Sequence, residues 1–365
     1  MRGTKSEQQE DMFKYVSMES AIPASHPIRR IKDLVEPIFE KLSPDFDVIY
    51  SRVGRPSIPP EQLLKALLLQ VLFTIRSERQ LVEQLHYNLL YRWFVGLGMS
   101  GAVWDQSTFV KNRNRLLEGE IADKFFREVV AFAEKKNLIS KEHFSVDGSI
   151  VHAWASLKSL QEKSKDESGS DDKQDPEGRN PSVDFKGEKR SNKTHESATD
   201  PDAKIYTKSR GEAAKLSYMG HALTENRNGL VVDARLTEPS YHAEPMAAIE
   251  MAMGLPGEHR KTIGADKHYD QEYFCETLQQ IKIAPHVAQN VHARRHKSAI
   301  DARTTRHAGY EVSSRKRKRI EEVFGWLKTI GLMRRPMFRG MARMEFAWVF
   351  ALSCYNLVRI KNLCA

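Results

Sequence analysis

Near residue 140 the apolar residues change period, and that change restricts the chain to helices followed by an α/β core. Upstream, Pro59-Pro60-Glu61 puts proline and an acid where a helix begins, and Leu63, Leu64, Leu67, Leu68 and Val71 follow at helical spacing. Ser77 and Asp105 each stand before a further amphipathic stretch, as N-caps do. Downstream the runs shorten. Residues 144–151 read as a strand, and residues 215–224 and 230–237 flank Glu225-Asn226-Arg227-Asn228-Gly229, where Asn-Gly signals a hairpin. Residues 243–253 read as a helix, 261–265 as a short buried strand, 270–281 as a helix and 285–289 as another strand. A helix over 313–328 and an apolar helix over 344–357 close the chain. The order is that of an α/β fold: a mixed sheet with an antiparallel start, flanked by helices.

This pattern divides the chain into an all-α N-terminal domain over residues 1–137 and an α/β domain over 138–365. Surface arginines among short helices suit a DNA-binding module; a helical dimerisation unit fits the same residues. Residues 157–212 interrupt the second domain with Ser/Asp/Lys/Glu/Gly-rich sequence holding few large apolar side chains. Its charges nearly cancel, so poverty in apolar area is what leaves it partly disordered. Residues 164–174 are expected to be its most mobile part.

Charge narrows the partner. The formal net charge is +9, and between Arg294 and Glu345 there are 15 Lys/Arg against 5 Asp/Glu, so one basic region holds about the whole excess. Such a region favours an anionic partner. The three cysteines, Cys275, Cys354 and Cys364, lack metal-type spacing and read as reduced thiols of a cytoplasmic protein. The N-terminus lacks the apolar stretch of a signal peptide, and the most apolar run, residues 63–73, is too short to span a bilayer.

Within this frame three acids stand out. Asp147 ends the run His143-Phe144-Ser145-Val146-Asp147-Gly148-Ser149, and Asp266 ends Lys261-Thr262-Ile263-Gly264-Ala265-Asp266. Glu321 lies in the basic stretch Arg317-Lys318-Arg319-Ile320-Glu321-Glu322. Singly, each has an ordinary reading as a turn residue, a strand-end charge or a helix-face ion pair. Together, two strand-end carboxylates and one on a helix can converge on a pair of Mg²⁺ ions, the arrangement that clamps both oxygens of a phosphodiester displacement. Glu322 points about 100° away round the helix and is expected to pair with a neighbouring cation. His221 and His286 fall on strands and read as satisfied core residues.

The sequence resembles the DDE transposases of bacterial insertion sequences, specifically the insertion-sequence-five-like family. The residues that carry the resemblance are Arg52-Val53-Gly54-Arg55-Pro56-Ser57, Pro60-Glu61-Gln62-Leu63-Leu64, Ile75-Arg76-Ser77-Glu78-Arg79-Gln80 and Asn88-Leu89-Leu90-Tyr91-Arg92-Trp93-Phe94 in the N-terminal region. Phe144-Ser145-Val146-Asp147-Gly148-Ser149 and Gly264-Ala265-Asp266-Lys267 match the first and second acidic motifs. Arg317, Glu321 and Lys328 match the third, with three and six residues between them. Two positions depart from the pattern. The family tyrosine falls at Ser314, with Tyr310 four residues earlier, and His268 stands where glycine is usual, beside Asp266.

The resemblance implies a ribonuclease H-like catalytic core, with Asp147, Asp266 and Glu321 holding two Mg²⁺ ions for which Mn²⁺ can substitute. It implies strand cleavage at the ends of an element and transfer of the freed 3′-hydroxyl into target DNA, by a homodimer on double-stranded terminal repeats. Arg317 and Lys328 suit phosphate contacts there, as do Arg315, Arg319, Arg334, Arg335, Arg339, Arg294 and Arg295. Trp326 is a candidate for stacking on an extruded base, or else a core residue. The other readings are a DNA-binding derivative that represses its own element and a metal-dependent nuclease without strand transfer.

Overall fold

The computed structural model describes residues 17–50, 53–54, 57–163, 183–185, 188–207, 212–257, 259–290 and 298–364. Its first part is helical: α1 (Met18–Ala21), α2 (Pro27–Ile49), α3 (Pro60–Leu72), α4 (Glu78–Tyr87), α5 (Leu89–Val95), α6 (Gln106–Glu118) and α7 (Ile121–Lys135). The caps explain the starts. The Ser77 hydroxyl accepts from the Gln80 N–H at 3.2 Å and the Asp105 carboxylate from the Thr108 N–H at 3.0 Å, each satisfying an otherwise orphaned first-turn donor. Arg113 of α6, largely buried, is ion-paired with Glu78 of α4.

Strands follow: β1 (His143–His152), β2 (Leu160–Glu162), β3 (Val183–Phe185), β4 (Glu188–Arg190), β5 (His195–Ser197), β6 (Lys204–Tyr206), β7 (Lys215–Glu225) and β8 (Val231–Thr237). Next come α8 (Ala243–Met253), β9 (Lys261–Ala265), α9 (Glu272–Gln280) and β10 (Ile283–Val287). The chain closes with α10 (Ala302–Thr305), α11 (Ala308–Lys316), α12 (Ile320–Thr329) and α13 (Met341–Leu363). The main sheet runs β10-β9-β1-β7, with β8 and β6 sharing the outer edge of β7. β1, β9 and β10 are parallel, β7 is antiparallel to β1, and β8 is antiparallel to β7. Two hairpin-linked strands, then parallel strands joined through α8 and α9, are the ribonuclease H-like topology.

The β7–β8 hairpin is organised by a buried acid. Glu225 accepts from the backbone N–H groups of Arg227, Asn228 and Leu230 at 3.0, 2.6 and 3.2 Å. Gly229 completes the turn at φ +72°, where a side chain is strained.

Each sheet face has its own core. Phe144, Val146, Leu223 and Ile263 pack with Ala248 and Ala252 of α8 and Phe274 and Leu278 of α9. On the other face Tyr218, Ala222, Val231 and Leu236 pack with α12 and α13, and that cluster continues without a break into α2, α3 and α7. The Phe125 ring of α7 stacks on Phe39 of α2 and on Phe350 of α13, each at 5.7 Å. The hydrophobic core therefore crosses residue 137.

Three details differ from the sequence expectation. The helix read over 313–328 is two helices, α11 and α12, separated by a tight 3-10 turn at Arg317–Arg319. The strand read at 285–289 begins two residues earlier, because β10 pairs with the whole of β9 from Ile283↔Lys261 to Val287↔Ala265. The polar insertion holds folded elements that periodicity misses, since β2 to β6 are three residues each. Part of it is anchored on the core: the Asp200 carboxylate accepts from the Tyr218 hydroxyl at 2.6 Å and from the Gly340 N–H at 3.0 Å, at the start of α13. Residues 164–174 lie outside the described residues. Among the described residues, no helix is long and apolar enough to cross a membrane.

Candidate active site

The register of the sheet sets the two aspartates level. Ser145 of β1 pairs in parallel with Gly264 of β9, and Asp147 and Asp266 each lie two residues further on. Side chains alternate, so both carboxylates leave the same face of neighbouring strands, roughly 4.8 Å apart in strand spacing. The 3-10 turn at Arg317–Arg319 lies across that face: a Cβ built on Gly264 would stand 3.7 Å from the Arg317 Cβ and 3.5 Å from the Ser313 carbonyl. Gly264 thus lets the helical segment approach the strands closely, bringing Arg317 beside the acids.

The electrostatics follow. Burial, then the Asp266 and Glu244 carboxylates, push Asp147 up to about 7; the Gly148 N–H, at 2.8 Å, and Arg317 pull the other way. The Asp266 carboxylate accepts from the His268 N–H at 2.8 Å, which fixes the turn after β9. Tyr269, fully buried behind this turn, has its hydroxyl pushed well above its ordinary range by burial and then by the Glu244, Asp147 and Asp266 charges.

Glu321 sits exposed in the first turn of α12, the helix that follows the Arg317 turn and packs on β1. Glu322 pairs with Arg359 at 3.7 Å, the role its place on the helix foretold. Among the described residues no group of three His, Cys, Asp or Glu side chains is placed to hold a metal ion. Carboxylate oxygens are the hard donors that Mg²⁺ or Mn²⁺ takes.

The basic residues divide by environment. Arg317 is half-buried beside the aspartates. Lys328 lines a cavity with Ile150, His152, Tyr206 and Lys215, where burial and then Lys215, Lys328 and Arg335 hold the His152 imidazole below its ordinary range. Arg315 is exposed and pairs with Glu311 at 3.6 Å. Arg319 donates to the Arg227 carbonyl at 2.8 Å, tying α12 to the β7–β8 turn. Arg335 donates to the Trp154 carbonyl at 3.0 Å and lies 5.1 Å over its ring. Arg334 and Arg339 are exposed, and Arg294 and Arg295 lie outside the described residues. Trp326 is half-buried, edge-on to Tyr355 at 5.7 Å, which is a packing environment.

The two strand histidines are core residues. His286 Nδ1 bonds the Ser313 hydroxyl at 2.7 Å and burial lowers the ring to about 4; His221 Nε2 bonds the Thr237 hydroxyl at 2.8 Å and burial lowers it to about 3. Tyr310 gives its hydroxyl to the Val287 carbonyl at 2.9 Å, so it supports β10 from α11. The His268 ring reaches Tyr241 and the start of α8. Its Nε2 lies 3.0 Å from the Tyr241 carbonyl and 3.4 Å from the Glu244 carboxylate. Sequence reasoning passed over Glu244, an acid in the first turn of α8.

Fold and site together define a nucleic-acid phosphodiester enzyme of the ribonuclease H-like class. Two family profiles match the chain: Transposase domain (DUF772) over residues 16–115 and Transposase DDE domain over residues 183–357. The chain is a DDE transposase of the insertion-sequence type, a DNA-cutting and DNA-joining enzyme that depends on divalent metal ions. None of the curated protein sequences matches it. Among solved structures it aligns with the piggyBac transposase synaptic complex with hairpin DNA, at 8% identity and a TM-score of 0.43, over 92% of this chain and 75% of that one. It aligns with the Mos1 mariner paired end complex with Mn at 14% identity and a TM-score of 0.21, over 91% of this chain and 86% of that one. Both alignments are too loose to add to what the topology shows.

Proposed function

We propose that the protein, within the insertion-sequence-five-like family, cuts the ends of its own element and joins the freed 3′-hydroxyl to target DNA in the cytoplasm. Asp147, Asp266 and Glu321 would hold two Mg²⁺ ions, with Mn²⁺ as a substitute. The observation that carries this reading is the level placement of Asp147 and Asp266 on adjacent parallel strands, with the Arg317 turn across them and Glu321 on the helix that follows.

Bound divalent ions would acidify a water for cleavage, activate the 3′-hydroxyl for joining and neutralise charge on the phosphate. The chain's own residues do the rest. Arg317, held against the strands by the close approach at Gly264, sets a fixed positive charge where a phosphate oxygen would lie. Lys328, two turns beyond Glu321, reaches the groove with His152 and Lys215 and would hold the strand next to the cut. Arg315, Arg334 and Arg339, with Arg294 and Arg295, would track the duplex backbone. Residues 1–137 are read as the part that binds the ends or pairs two protomers in a homodimer.

The test is a duplex carrying the element's ends, incubated with a target plasmid and Mg²⁺. Wild type should nick and join, whereas Asp147→Asn, Asp266→Asn and Glu321→Gln should bind the ends and leave them intact. Cut ends that never join would make the protein a nuclease, and binding without any cutting would make it a repressor.

A further inference from the structure

We propose that the buried pair of Ser313 and His286 are positioning residues that set Arg317 over the two aspartates. This rests on the reading of Arg317 as a phosphate contact of the cleavage site.

The helix is the first observation. Of the described residues of α11, only Ser313 is buried. A serine removes little apolar area from water, so burial alone does not fix how far the helix has slid along the sheet or how it is turned. Directional bonds do. His286 Nδ1 bonds the Ser313 hydroxyl at 2.7 Å, between two buried side chains. The Tyr310 hydroxyl, one turn earlier on α11, donates to the Val287 carbonyl at 2.9 Å. One face of α11 is thus tied to adjacent residues of β10. A buried hydrogen bond has a length and a direction, and leaving a partner unpaired there costs its desolvation.

The register of the sheet is the second observation. His286 of β10 pairs with Gly264 of β9, and Gly264 with Ser145 of β1. These residues form one row across three parallel strands, so their side-chain positions share a face. α11 meets that row twice. Its Ser313 hydroxyl lies on His286, and its Ser313 carbonyl lies 3.5 Å from where a Cβ on Gly264 would stand. The same carbonyl accepts the Arg317 N–H, one turn further on. Asp147 and Asp266 stand two residues beyond the same row. The path from the His286 ring through Ser313 to the Arg317 N–H therefore places the cation and the carboxylates by a common line of the sheet. An alanine at 313 would keep the helix and lose the tie, freeing the Arg317 turn to shift.

The experiment is nicking of a duplex carrying the element's ends by the full chain in Mg²⁺, with hydrogen exchange of the protein free of metal and DNA as a second readout. Ser313→Ala should lower kcat about 10- to 100-fold, the cost of a shift on the order of 1 Å, with KM for the duplex little changed. Its amides over residues 314–319 should exchange faster than in wild type while those of β1 and β9 do not. His286→Asn, whose amide reaches the place of Nδ1, should keep most of the activity, whereas His286→Leu should fall as Ser313→Ala does. Arg317→Ala should lower kcat at least as far, and adding Ser313→Ala to it should lower it no further. Wild-type kcat in Ser313→Ala, beside a loss in Arg317→Ala, would overturn this inference alone. A double variant that falls by the product of the two losses would do the same, since Ser313 would then act other than through Arg317. Wild-type nicking in Arg317→Ala would overturn the phosphate-contact reading and the inference with it. Exchange that quickens through the whole sheet in Ser313→Ala would make the pair a stabilising core contact, against the proposal.

Discussion

Replacing Asp147 by Asn should make the metal-free protein more stable while abolishing its activity. Burial with Asp266 and Glu244 pushes the Asp147 carboxyl from its ordinary 3.8 up to about 7. An acid whose folded-state pKa is raised stabilises the fold fully below its unfolded pKa, and that contribution is lost as pH rises through the folded value. The loss therefore runs from about pH 4 to about pH 7. About three pKa units at 1.36 kcal/mol each give on the order of 4 kcal/mol as a ceiling, reached above pH 7. Asparagine keeps the acceptor for the Gly148 N–H and removes the charge. In EDTA at pH 8, urea unfolding should show Asp147→Asn more stable than wild type by up to that ceiling. At pH 4, where wild type carries the proton, the difference should close. Mn²⁺ should stabilise wild type at pH 8 and leave Asp147→Asn nearly unmoved. A variant no more stable than wild type at pH 8, or one whose advantage persists at pH 4, would refute the reasoning.

Further expectations concern the helix register, a packing contact and the chain's division. Glu321→Gln should end cleavage in the plasmid assay, whereas Glu322→Gln loses only an exposed pair with Arg359, about 0–1 kcal/mol, and should cut normally; the reverse would place the wrong face of α12 at the site. Gly220→Ala should destabilise by roughly 1–3 kcal/mol in urea unfolding, because a Cβ there would stand 2.5 Å from the buried Trp348 ring; an unchanged midpoint would mean the ring moves freely. Residues 1–137 made alone should bind a hydrophobic dye, since Phe125 loses its Phe350 neighbour. Cooperative melting of that fragment without dye binding would show that it folds independently.

Much of the main sheet was legible in the sequence, because each element carries its signal locally. Ala243–Met253 and Lys261–Ala265 begin and end where apolar period, caps and breakers put them. The Asn-Gly turn joins β7 to β8, and Asp266 stands just beyond β9 as its run foretold, whereas Asp147 falls mid-strand because β1 runs on to His152 in its ladder with β7. Glu322 falls to an ion pair because a 100° step is a property of any helix. What tertiary structure alone decided is everything that depends on register and on contact between distant segments. The level placement of Asp147 and Asp266 follows from the pairing Ser145↔Gly264 across 119 positions of sequence. Glu244 and His268 show no periodicity of their own and become neighbours only when α8 packs beside the end of β9. The three-residue strands of the insertion are too short to show alternation; they are held by partners such as Tyr218 and the start of α13. The N-terminal helices looked self-sufficient because an amphipathic pattern records that a face is buried, not what buries it. In the folded chain α13 covers that face, joining the first and last helices in one core.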